Sequence, residues 1–95
     1  MRSRYAAFVF MNERYLLESW HPRTRPPRVE FDPSQKWLGL KVVTAKNDGD
    51  TAAEVEFIAR FRIGGGSAAR LHERSRFERD GTGRWLYVDG TLIDK

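Results

Sequence analysis

From Trp37 onward apolar and polar residues alternate with a period of two, the signature of half-buried strands. In KWLGLKVVTA, Leu38, Leu40 and Val42 fall on one face. In AEVEFIARFRI, Val55, Phe57, Ala59, Phe61 and Ile63 share one face. Glu54, Glu56, Arg60 and Arg62 take the other, interrupted by Ile58. RLHERSRFERD and GRWLYVDG read as two further strands. The NDG at 47–49, the Gly64–Ser67 run and the DGTG at 80–83 supply the turns. The N-terminal third has a different period. Tyr5, Phe8 and Val9 lie at i, i+3, i+4, on one helical face. A second helical segment starts at Asn12, which can cap it, with Glu13 suited to the positive end of the dipole. Leu16, Leu17 and Trp20 form its apolar stripe, and His21-Pro22 stops it. All four prolines fall between 22 and 33, in a connector without regular structure.

Helices first and about four antiparallel strands afterwards is an α+β arrangement, with the helices on one face of the sheet. Its other face, partly polar, suits solvent or a partner subunit. Ninety-five residues fit a single domain spanning 1–95 with a modest core. Forty per cent hydrophobic residues, three Trp and six Phe exclude a disordered tail. The absence of cysteine excludes a disulfide scaffold, a cysteine zinc site and a cysteine nucleophile, and it fits a cytoplasmic protein. No apolar run is long enough to span a membrane, and the first residues do not read as a secretory signal.

The net charge of +4 comes from 17 Lys+Arg against 13 Asp+Glu. The acids are interspersed with the arginines. Cross-strand Arg–Glu pairing is therefore expected on the polar face, and a nucleic-acid surface is not. HERSR lacks the second histidine of a helical zinc site, and GGGS lacks the lysine of a phosphate loop. His21 reads as a helix end and His72 as a strand-surface residue paired with a neighbour. Glu73 or Asp89, with Tyr87 nearby, are the carboxylates an acid–base enzyme would use. In GRWLYVDG both faces are apolar. This points to a central strand, or to a second face buried in a homodimer.

The words MRSRYAAFV, YLLESWHPRTRP, WLGL, VEFIARFR and HERSRFERDGTGRWLYVDG resemble the YchJ-type bacterial family, in which this domain accompanies SEC-C motifs. The resemblance covers nearly the whole chain. It implies a nuclear-transport-factor-two-like cone, with helices on a strongly curved antiparallel sheet and a pocket between them. Such cones often pair through their sheets, which again implies a homodimer. Longer members carry a cysteine-rich, metal-binding motif before this domain, and in them MRSRY lies inside the chain. With no cysteine here, that metal function does not carry over, and no cofactor is expected. The resemblance brings no defined reaction with it.

The expectation is then a non-enzymatic domain that binds a small molecule or a protein. The lining of its pocket is assigned to Tyr5, Tyr15, Trp20, Trp37 and Phe61, with His21 and Arg23 near the mouth. The alternatives are a small lyase- or isomerase-type enzyme using a pocket carboxylate, and a nucleic-acid-associated module.

Overall fold

The structure is a computed structural model that describes residues 2–93. Two short helices, α1 (Arg2–Val9) and α2 (Glu13–Glu18), precede four strands. The strands are β1 (Gln35–Asp48), β2 (Ala52–Ile63), β3 (Ala69–Arg79) and β4 (Trp85–Leu92). They pair antiparallel in the order β1-β2-β3-β4, so each hairpin connects neighbours. The helices lie over one face of this sheet, the α+β arrangement expected from the pattern.

The turn between the helices is set by local chemistry. Met11 sits in the left-handed region with φ 53°. Its N–H donates to the Phe8 carbonyl at 3.2 Å, and the Asn12 N–H donates to the Ala7 carbonyl at 2.7 Å. These two bonds close α1 in a Schellman motif. Asn12 then caps α2, its side-chain oxygen accepting from the Tyr15 N–H at 3.1 Å. Leu16 is completely buried. The helix stops earlier than the apolar stripe predicts. Ser19 ends it by turning its hydroxyl onto the Tyr15 carbonyl at 2.7 Å, and Trp20 leaves the helical face altogether.

Trp20 instead forms a parallel bridge with Tyr87. The Tyr87 N–H donates to the Ser19 carbonyl at 2.9 Å, and the His21 N–H donates to the Tyr87 carbonyl at 2.7 Å. Residues 19–21 thus cover the open edge of β4, and the Thr24 hydroxyl adds a bond to the Val88 carbonyl at 2.6 Å. This corrects the reading of GRWLYVDG as a central strand. β4 ends the sheet order, and Leu86 and Val88 are buried on it.

The proline-rich connector is tied down along its length. The Arg25 guanidinium donates to the Trp20 carbonyl at 2.9 Å, the Glu13 carboxylate accepts from the Val29 N–H at 2.8 Å, and Phe31 meets Phe8 edge-on. It leads into β1, the other edge of the sheet. Lys36, Lys41 and Lys46 lie on this edge strand, a charge placement that discourages pairing with another chain.

Bulges shift the register of β1 between Trp37 and Gly39 and again between Val42 and Thr44. A bulge bends its strand and increases its twist. The first one also corrects the predicted face. Trp37, paired with Phe61, joins Leu40 and Val42 on the helix side, while Leu38 is the extra residue and is exposed. On β2 the alternation holds, and Phe57 and Ala59 are the buried centre of the inner face. On β3 the inner residues are Leu71, Glu73, Ser75 and Phe77, so two polar side chains face the helices.

Met11 holds a conformation that disfavours any side chain with a Cβ. Met11→Gly should stabilise the fold by about 1 kcal/mol, read as a higher urea midpoint at unchanged m-value.

Candidate functional site: an aromatic cavity with a polar end

Between α1 and the inner face of the sheet lies a cavity of about 190 Å³. Tyr5 and Phe8 of α1 form one wall with Trp20. Trp37, Phe57, Ala59 and Leu71 of the sheet form the opposite wall. The aromatic rings hold one another in offset and edge-on contacts. Trp37 meets Tyr5 at 5.8 Å, Phe8 at 6.0 Å and Phe61 at 5.6 Å between centroids, and Trp20 meets Tyr87 at 5.0 Å.

Arg4, Glu73, Ser75 and Tyr87 complete the lining as a polar cluster. Arg4 is only 5% exposed although it carries a full charge. Its guanidinium carbon lies 3.8 Å from the Tyr87 ring centroid, 4.7 Å from Trp20 and 5.7 Å from Phe8. The ring faces are thus its main electrostatic partners. Burial pulls its pKa below the ordinary guanidinium value, and the Tyr87 phenol and the Glu73 carboxylate beside it only partly restore it. Among the described residues its Nη1 finds no acceptor, and neither does the buried Trp20 Nε1.

Glu73 Oε1 accepts from the Ser75 hydroxyl at 2.8 Å and from the Tyr87 hydroxyl at 3.3 Å. Ser75 is fully buried. Gly90 permits this arrangement, because a Cβ there would collide with the Glu73 carboxyl group. The Tyr87 phenol is pushed up to about 12, first by burial and then by the negative charge of Glu73. Arg4 also borders a second space of about 240 Å³, lined by Ser3, Tyr15, Val55, Phe77 and Trp85 among others. Its side chain therefore partitions the space under the helices.

The residues singled out from sequence divide into three groups. Tyr5, Trp20 and Trp37 line the cavity. Phe61 supports it from behind Trp37, and Tyr15 lines the second space, where its hydroxyl donates to Ser3 Oγ at 2.7 Å. His21 and Arg23 lie elsewhere. They meet Glu78, which sits on the face of β3 opposite Phe77. Arg23 pairs with Glu78 at 3.0 Å, and His21 Nδ1 accepts from the Arg23 N–H, leaving Nε2 to face Glu78 at 3.4 Å. Of the two carboxylates considered for acid–base work, Glu73 faces the cavity. Asp89 instead pairs with Arg76 at 2.6 Å on the outer face. Arg4 and Ser75 were not legible as site residues. The period-two pattern of β3 does place Ser75 with Leu71 and Phe77, but nothing in RSRYAAFV marks Arg4 as buried.

The outer face carries the expected ladder of opposite charges. Glu56 accepts from His72 at 2.8 Å and from Arg74 at 3.4 Å, and these bonds, His72 first, hold its pKa below the usual carboxylate value. Among the described residues no cluster of three or more metal-ligating side chains occurs, and no helix is long and apolar enough to cross a membrane.

Residues 1–90 match the family described as the YchJ middle NTF2-like domain. The chain belongs to the YchJ family. It is 56% identical over 90 residues to a UPF0225 protein of Polaromonas sp., covering 95% of this chain and 64% of that protein. It is 53% identical over 91 residues to a UPF0225 protein of Xanthomonas oryzae, covering 94% and 70%. The chain thus spans roughly two thirds of the length of these relatives. The solution structure of a SEC-C motif containing protein from Rhodopseudomonas palustris matches at a TM-score of 0.84 with 37% identity, covering 99% of this chain and 76% of that one. The YchJ-like assignment fixes the fold as NTF2-like and agrees with the helix-on-sheet arrangement.

The raised Tyr87 pKa gives a signed prediction. The unfolded chain loses this proton near pH 10 and the folded chain only near 12. Tyr87 therefore favours the unfolded state progressively as pH rises from about 10 towards about 12. A spectrophotometric titration should show one late-ionising phenol, and Tyr87→Phe should remove that component alone.

Proposed function

We propose that this YchJ domain is a binding module whose inner cavity holds a small, largely apolar molecule and performs no chemistry on it. The observation that carries this reading is the aromatic-walled cavity of about 190 Å³ with a compact polar cluster in its lining. Ligand sites are typically apolar concavities with a few placed polar groups. A cavity of about 150 Å³ suffices for benzene in another protein, so this one suits a single ring or its aliphatic equivalent.

A lyase or isomerase is the second reading, favoured by the position of Glu73 in the cavity lining. A general base must reach the proton it removes with a free lone pair. Glu73 Oε1 accepts from Ser75 and Tyr87, which anchors the carboxylate in the wall and leaves Oε2 as the only oxygen for such a role. A nucleic-acid module draws less support, because acids answer Arg23, Arg74 and Arg76 on the outer face.

Binding is tested with benzyl alcohol as a neutral one-ring probe, followed by tryptophan fluorescence and two-dimensional NMR. Saturable shifts at Trp20, Trp37 and Leu71 are expected. Ala59→Leu fills the cavity from the sheet side and should abolish them while unfolding stays cooperative. Trp37→Ala should lose the binding and also about 3 kcal/mol of stability. A probe that shifts nothing in the native protein, or shifts it equally in Ala59→Leu, would sink the proposal. A native mass spectrum of gently purified protein reads the subunit number and any retained molecule in the same experiment.

A further inference from the structure

We infer that the molecule this cavity takes is a small carboxylate with an apolar body of about one ring, its acid group bound by Arg4 and Trp20. The inference rests on the binding reading above and adds the ligand's chemical class.

Two residues of the cavity lining, Arg4 and Trp20, each carry a buried N–H donor, Nη1 and Nε1, without an acceptor among the described residues. They belong to neighbouring groups, the Arg4 guanidinium carbon lying 4.7 Å from the Trp20 ring centroid. Buried donors left unpaired are rare in folded proteins and destabilising. Here one of them belongs to a charged group that is 95% buried, since Arg4 is 5% exposed. A buried cation is ordinarily met by a carboxylate in hydrogen-bonding contact. Glu73 acts on Arg4 as a neighbouring charge, and its Oε1 is bonded to Ser75 and Tyr87 instead. The site therefore presents a cation stacked on aromatic rings, with a spare forked N–H. A planar carboxylate fits that fork, and a second carboxylate oxygen can take the indole N–H. The remaining walls are aromatic and aliphatic, which fixes the apolar character of the rest of the ligand.

Glu73 sets the limit on charge. Its own negative charge repels the incoming anion, so a monocarboxylate is accepted and a dicarboxylate is not. This opposition supplies a signature that a simple hydrophobic cavity lacks, because removing the Glu73 charge must strengthen binding of an anion relative to that of a neutral ring.

The test compares benzoate, phthalate and benzyl alcohol on the whole chain by NMR titration. Benzoate should bind at least tenfold more tightly than benzyl alcohol, and phthalate should not bind. Arg4→Met should remove the preference for benzoate over benzyl alcohol. Glu73→Gln should raise the ratio of benzoate to benzyl alcohol affinity severalfold. Trp20→Phe should lower benzoate affinity severalfold. Equal binding of benzoate and benzyl alcohol, or a benzoate preference that survives Arg4→Met, overturns the carboxylate assignment and leaves the cavity as a neutral site. Should Arg4→Met fail to fold, the other two variants decide: a benzoate preference that moves with neither overturns it as well. If neither probe binds, the binding reading itself falls and takes this inference with it.

Discussion

A charged guanidinium buried against three aromatic rings is the contact on which this small fold turns. Arg4 reaches from α1 to Tyr87 on the last strand and to Trp20 in the segment beyond α2. It thereby joins the first element of the chain to the last. The buried residues of RSRYAAFV are Arg4 and Ala7. Its other anchors are the rings of Tyr5 and Phe8 against Trp37, Phe8 against Phe31, and the Tyr15 hydroxyl on Ser3. The edge of β4 depends on the same place, because Trp20 bridges Tyr87 and stacks on Arg4 together with it. Helix docking, edge protection and the cavity wall are thus three consequences of one cluster.

The sheet was largely legible in the sequence. Alternation located all four strands, and NDG, GGGS and DGTG marked their turns, with Gly49, Gly64 and Gly83 adopting the positive φ that such turns require. The Arg–Glu ladder on the outer face followed from the same alternation once the strands were paired. What stayed hidden has a common cause. A bulge adds one residue to a strand and leaves no compositional mark, so Leu38 seemed to belong with Leu40 until the register placed Trp37 there. Trp20 has the spacing of a helical residue but is captured by β4, a tertiary contact that outweighs local periodicity. Both failures changed the site. The first brings Trp37 inward, and the second moves His21 and Arg23 away from the cavity to Glu78.

Arg4 defeats sequence reading for a different reason. Hydropathy assigns arginine to water, and only a cluster of rings assembled from distant parts of the chain makes its burial tolerable. Glu73 is the intermediate case. Period two puts it on the face of Leu71 and Phe77, yet its partners Ser75 and Tyr87 appear only when β3 and β4 are in register, with Gly90 leaving room for the carboxyl group.

Stability alone does not account for this polar cluster. A domain of this size buries a limited core and folds with a small margin. Replacing buried ionic groups by apolar residues of similar volume is often neutral or stabilising. The inner face nevertheless carries a guanidinium and a carboxylate not in direct contact, a buried hydroxyl and a phenol held protonated by its surroundings. A chain selected for packing would place leucine or methionine at these positions. The arrangement becomes economical once the cavity has an occupant, because a bound acceptor would satisfy the two donors that the chain leaves open. The cost in stability would then be localised at the residues that meet the occupant, with the aromatic walls and the outer charge ladder holding them in place.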